Sequence, residues 1–182
     1  MSSLPSSSHA LLASLRAAFS GRMVSDPAGM APWLRDYRQR WGGPALAVVQ
    51  PDSTADVAAV VRWCVEHDAV VVPQGGNTGL TGASVPLGVP LSRLPSGAPP
   101  ASADKAPSDA PDPSQARTTG GADVQSRPVI LLSLSRMQQV RSVDALASTM
   151  VVEAGCTLQA AQEAAAAHGR LFPLSLASEG SC

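Results

Sequence analysis

A chain of 182 residues has room for one domain with a proper core, and its net charge of −1 gives no electrostatic case for nucleic acid. Aromatic residues at 3 % are too few for base-stacking platforms, and no apolar run approaches the ~20 residues of a membrane span. Cysteines at 64, 156 and 182 form no C-x-x-C pair, so neither a zinc site nor a disulfide framework is signalled and a reducing, cytoplasmic setting is expected.

Leu11, Leu12, Leu15 and Phe19 recur at helical spacing and predict a short amphipathic helix that packs on the domain. Neither a basic n-region nor a long apolar h-region precedes it. Tyr37 stands among Arg35, Arg38 and Arg40, which reads as a solvated helix face, with anion binding as the alternative. Residues 45–50 form a first strand closed by Pro51, and Ser53 or Asp52 caps the helix that follows. Val57, Val60, Val61, Cys64 and Val65 fall on one stripe of that helix, which must lie on a sheet. His67 comes at its end, where a histidine serves the helix dipole and solvent. A second strand, Val70 to Val72, completes a β-α-β unit.

That strand feeds Pro73-Gln74-Gly75-Gly76-Asn77-Thr78-Gly79-Leu80. Glycine leaves no Cβ in the way and tolerates positive φ, so such a loop can turn several backbone N–H groups toward one point. Converging N–H groups make an anion site, typically for phosphate. Asn77, Thr78 and Thr81 add short side chains able to donate to phosphate oxygens. No lysine follows as a Walker A loop requires, and Gly76, Gly79 and Gly82 run G-x-x-G-x-x-G rather than G-x-G-x-x-G. On composition alone a tight turn explains the loop equally well.

From 87 to 127 the character changes: seven prolines, no aromatics, and four positive against four negative charges. Such a stretch buries too little apolar surface to offset chain entropy and reads as a disordered, tolerated insertion. Residues 129–134 resume as a strand, and 148–153 as another, antiparallel through a turn near Ser142 to Ala145. Thr157 caps an alanine-rich helix ending at His168 and Gly169. Leu171-Phe172-Pro173 is expected to re-enter the sheet layer, and Ser178 to Cys182 begins a second glycine-bearing turn. Cys64 reads as a small buried hydrophobe. Glu153 closes a strand and reads as a structural hydrogen-bonding group, with Glu179 the other candidate acid. The three histidines, His9, His67 and His168, are too dispersed for a metal set.

PDSTADVAAVVRWC ahead of VVPQGGNTGLTGASVP, followed by Met150-Val151-Val152-Glu153-Ala154-Gly155, Leu171-Phe172-Pro173-Leu174 and Ser178-Glu179-Gly180-Ser181-Cys182, resembles the flavin domain of FAD-linked oxidases of the vanillyl-alcohol oxidase and p-cresol methylhydroxylase (PCMH) type. The nearest look is the D-lactate, glycolate and D-2-hydroxyglutarate dehydrogenase group. The resemblance covers residues 22–86 and 128–182. It implies an α/β (α+β) fold, the N-terminal part of a PCMH-type FAD-binding domain, with a small mixed β-sheet and flanking helices. The expected organisation is a helical segment at 1–21, the first part of the FAD subdomain at 22–86, the insertion at 87–127, and the subdomain continued at 128–182.

The resemblance further implies FAD as cofactor, with its pyrophosphate on Gly75, Gly76, Asn77, Thr78 and Gly79. Pro73 would fix entry to the loop, Gln74 would open it, and Leu80 would close it against the cofactor. Pro173, Leu174, Ser178, Gly180, Ser181 and Cys182 would run beside the flavin. The implied reaction is oxidation of a 2-hydroxy acid to a 2-oxo acid, with hydride passing to the flavin. No catalytic or metal residue is assigned, because the resemblance places the substrate groups beyond Cys182, so the chain is expected to be the first part of a longer enzyme. The other readings are a non-catalytic remnant, a subunit completed by a second polypeptide, and a sugar- or alcohol-oxidising relative on the same flavin domain.

Overall fold

The computed structural model describes residues 6–87 and 127–176. The 88–126 part of the expected insertion, and the candidates Ser178, Glu179, Gly180, Ser181 and Cys182, lie outside these residues.

The elements in chain order are α1 (Ser6–Ala18), β1 (Arg22–Val24), α2 (Pro27–Met30), β2 (Ala47–Gln50), α3 (Thr54–Glu66), β3 (Val70–Gln74), β4 (Val129–Ser133), β5 (Val140–Asp144), β6 (Thr149–Val152) and α4 (Leu158–Ala167). The main sheet has the order β1-β2-β4-β3. β4 is parallel to both β2 and β3, whereas β1 is antiparallel to β2. The fold is the expected mixed sheet with helices. Its β-α-β unit differs in one respect: β2 and β3 do not pair, because β4 lies between them.

Burial explains the order. β2 and β4 read as nearly unbroken apolar runs and are covered on both faces, as interior parallel strands require. β3 carries Pro73, which cannot donate to a ladder on both sides, and it occupies the sheet edge. One sheet face, with Ala47, Val49, Ile130 and Leu132, packs on Leu12, Leu15 and Phe19 of the α1 region and on Val60, Trp63 and Cys64 of α3. The other face, with Val48 and Leu131, packs on Val24, Met30, Trp33 and Leu34.

The α3 stripe is rotated from its expected position. Val60 and Cys64 are buried, but Val61 and Val65 are exposed and Trp63 is buried instead. The cause is α1, which lies against α3 and accepts the Trp63 indole N–H on Ser14 Oγ at 3.0 Å. Ser53 is the N-cap, accepting from Asp56 N. Asp56 in turn accepts from Ser53 Oγ, Ser20 N and Ser20 Oγ, which ties the end of α1 to the start of α3. These bonds hold the Asp56 carboxyl below the usual carboxylate range, the Ser20 backbone N–H contributing most.

Residues 149–152 do not join the main sheet. They form an antiparallel hairpin with β5, and Ser142 to Asp144, expected as part of a turn, are strand. β5 has only partly covered apolar positions, so its sequence offers no buried alternation to read. Thr157 caps α4, and Gly169 follows with φ +67° as the left-handed stop. Leu171-Phe172-Pro173 does not re-enter the sheet layer: residues 171–176 have no regular structure, and Leu171 is 84 % exposed.

Candidate functional site

β3 ends at Gln74, and the glycine loop leaves from the C-terminal end of the parallel sheet, where α/β folds place ligands. The loop has little regular structure, so its shape rests on what its polar groups bond to. Gln74 is buried, and its amide donates to Trp33 O at 2.9 Å and to Ser84 O at 2.8 Å. Asn77 Nδ2 donates to Arg35 O at 2.7 Å, while its Oδ1 accepts from Ser84 Oγ at 2.9 Å. Asn77 sits at φ +55°, a conformation asparagine tolerates better than most residues. Gly82, at φ +76°, lies on Trp41: a Cβ there would be 2.6 Å from the ring's Cγ.

Residues 33–42 therefore form the back wall of the loop. They are not the helix face expected of Arg35, Tyr37, Arg38 and Arg40. Asp36 is the reason. Its carboxylate accepts from Trp41 N at 2.8 Å and Arg38 N at 3.4 Å, and its own N–H donates to Trp41 O. A bridge between Arg35 and Gly42 closes the turn. The Trp41 N–H, the largest influence, and the Arg38 N–H hold the Asp36 carboxyl below its ordinary value. Sequence reasoning missed Asp36 and Trp41: the Asp36 bonds stay within the turn, whereas Trp41 meets Gly82 about forty residues along the chain.

The Gln74 and Asn77 side chains are thus committed to the wall and not to the loop's front. Gly75 to Gly79, with Thr81, Ala83 and Ser84, line a concavity of ≈ 250 Å³. A Cβ on Gly75 or Gly79 would meet nothing within 4 Å, so both glycines border open space. The volume is below the roughly 300–1,000 Å³ of a pocket that encloses a whole ligand, and it suits one part of a larger molecule. Its lining carries no carboxylate. The lining is uncharged, and glycine-rich main chain of this kind is what phosphate sites are commonly built from.

The candidates do not all meet there. Gln74 and Asn77 brace the loop with their side chains; Asn77 still lines the concavity, whereas Pro73, Gln74 and Leu80 do not, and the Gln74 carbonyl accepts from Leu134 N. Leu80 is 48 % exposed, and neither Pro173 nor Leu174 lines the concavity. Leu174 is held instead through its carbonyl, which accepts from Gln162 Nε2 at 2.7 Å.

The other polar candidates have structural partners. Glu153 accepts from Gln139 N and from Arg141, and these bonds lower its carboxyl, the Gln139 N–H most strongly. His67 and His168 are the C-cap residues of α3 and α4. Cys64 is buried, which pushes its thiol up to about 11. Among the described residues no three His, Cys, Asp or Glu side chains converge as metal ligands.

A family model described as an FAD binding domain matches residues 45–94 and 114–182. The chain belongs to this FAD-binding domain family. The gap in the match falls within the stretch expected as an insertion. Among curated relatives, the mitochondrial D-2-hydroxyglutarate dehydrogenase of Bos taurus is 30 % identical over 175 residues, covering 94 % of this chain and 24 % of that protein. The D-2-hydroxyglutarate dehydrogenase of Xanthomonas citri is 29 % identical over 161 residues, 88 % of this chain and 26 % of the relative. A putative mitochondrial D-lactate dehydrogenase of Schizosaccharomyces pombe is 27 % identical over 158 residues, 87 % of this chain and 23 % of the relative. The chain thus spans about a quarter of the length of the relatives it matches.

Solved structures share the fold. An alkyldihydroxyacetonephosphate synthase superposes with a TM-score of 0.61 at 15 % identity, over 88 % of this chain and 25 % of that one. A p-cresol methylhydroxylase with substrate bound gives 0.57 at 16 % identity, over 91 % and 26 %. The chain therefore has the fold of the p-cresol methylhydroxylase FAD-binding domain, and the matched family gives FAD as its cofactor. No helix of the described residues is long and apolar enough to cross a membrane.

Proposed function

We propose that this FAD-binding domain serves a flavin-dependent oxidoreductase that converts a 2-hydroxy acid of the D-2-hydroxyglutarate, D-lactate or glycolate type to the 2-oxo acid. The observation that carries the cofactor half is the concavity after β3, open in front of Gly75 and Gly79 and braced behind by Gln74 and Asn77. The backbone N–H groups of Gly75 to Gly79 would hold the pyrophosphate, with Pro73 and Leu80 flanking it. Pro173 and Leu174 would begin the strip beside the flavin, continued by Ser178, Gly180, Ser181 and Cys182. Bound there, the flavin supplies the electron-accepting chemistry, and the protein supplies binding, orientation and local electrostatics.

The substrate half rests on the names of the relatives, dehydrogenases of D-2-hydroxyglutarate and D-lactate. The division into 1–21, 22–86, 87–127 and 128–182 belongs to the same reading, as does the reducing, cytoplasmic setting. Because the substrate groups are expected outside this chain, anaerobic mixing of the FAD-loaded longer enzyme that carries this domain with D-2-hydroxyglutarate, D-lactate and glycolate tests the substrate class. Bleaching of the flavin absorbance by at least one is expected. Bleaching only by sugars or simple alcohols would overturn it.

A further inference from the structure

The cradle is built from neutral groups, yet the pyrophosphate it is read to hold is a dianion. The cations stand on the wall behind it. Arg35, Arg38 and Arg40 are all exposed. The ion pairs among the described residues are Arg127 with Asp68, Arg136 with Asp52, and Arg141 with Glu153, so none of the three is neutralised in one.

Their placement is fixed by the wall. The 35–42 turn is closed by the Asp36 carboxylate and by the Arg35 to Gly42 bridge, so the arginines cannot drift away on a loose loop. Both legs of that turn touch the glycine loop: Arg35 O accepts from Asn77, and Trp41 lies under Gly82. Three residues of chain span at most about 11 Å, which keeps Arg38 close to the Arg35 anchor. The Debye length is about 8 Å at physiological ionic strength and about 30 Å at 0.01 M, so the field of these exposed charges spans that distance at low salt and is largely screened as salt is added. Asp36 is the single carboxylate of the turn, set against three guanidiniums.

We propose that Arg35, Arg38 and Arg40 form a cationic collar that steers the FAD pyrophosphate onto the glycine loop. The inference rests on the cradle reading and adds to it the source of the attractive field. A cleft flanked by one sign of charge raises the local concentration of an opposite ligand and its association rate, without direct contact. The neutral cradle then holds what the collar delivers.

Stopped-flow quenching of FAD fluorescence tests this on the parent chain, on R35Q/R38Q/R40Q and on R35K/R38K/R40K. At low ionic strength the glutamine variant is expected to associate about tenfold more slowly, at the low end of electrostatic steering effects. Its dissociation rate should change little, and the difference should shrink as salt is added. The lysine variant should keep the parent rate. A glutamine variant with the parent's rate and salt dependence would overturn the proposal, and so would a lysine variant as slow as the glutamine one, since that outcome marks a structural role. Absence of FAD binding by the parent chain would instead remove the cradle assignment, and the collar with it.

Discussion

The Gly75–Ser84 loop and the 171–176 segment are both irregular backbone, and both carry candidate cofactor residues. They are held very differently. The Gln74 and Asn77 side chains are committed to the wall behind the loop, and Gly82 sits on the Trp41 ring. The later segment has five of its six residues exposed and is anchored by the Gln162 bond to Leu174 O. A loop without secondary structure becomes a defined surface when its buried polar groups are satisfied. Under the proposed function the main chain of 75–79 is the binding surface, whereas 171–176 has no comparable preorganisation.

Substitutions that separate bracing from binding sharpen this contrast, and the largest effect is expected at Gly79. Valine there would enter the open concavity without meeting protein, so FAD affinity should fall by at least about 100-fold, or roughly 2.7 kcal/mol, with little change in melting temperature. Fluorescence titration and thermal melting together read both quantities. Gln74→Leu should weaken stability as well as FAD binding. It leaves the Trp33 and Ser84 carbonyls without their donor, at about 1–3 kcal/mol for each buried group. Equal FAD affinity in this variant and the parent would mean the brace does not shape the cradle.

Gly82→Ala tests the wall itself. A positive φ and the Trp41 contact should cost about 1–3 kcal/mol of unfolding free energy, read from denaturant melts. At the exposed Pro173, replacement by alanine should alter stability by no more than about 0.5 kcal/mol. A large loss there would show that the segment is braced after all.

The wall also has a pH signature. The Asp36 carboxyl is lowered from its ordinary 3.8 by the Trp41 N–H above all. A group lowered on folding adds stability that is fully present above the unfolded value and is lost as pH falls through the folded one. Stability should therefore decline below about pH 4, and Asp36→Asn should flatten that decline. Unfolding followed from pH 6 to pH 2 in both proteins checks it.

Why the loop was legible in the sequence and its wall was not follows from distance along the chain. β2, α3, β3, β4 and α4 announce themselves through apolar runs and through the Ser53 and Thr157 caps, all local signals. β1 is three residues with one buried position, and β5 is a half-exposed strand of mixed polarity, so neither has a pattern to detect. The α3 stripe turned because Trp63 outcompetes Val61 and Val65 once α1 supplies Ser14 as partner. Gln74 and Asn77 look like ligand groups locally. Only contacts at separations of 41 and 42 residues show that their side chains face the other way. The glycines, by contrast, were informative because the absence of a side chain is itself the local signal.

Amide hydrogen exchange across residues 75–79, with and without saturating FAD, addresses the claim that this backbone holds the cofactor. The account predicts that FAD slows exchange at these amides more than at the exposed β5–β6 hairpin. Exchange unchanged at 75–79 while FAD binds elsewhere on the chain would contradict it.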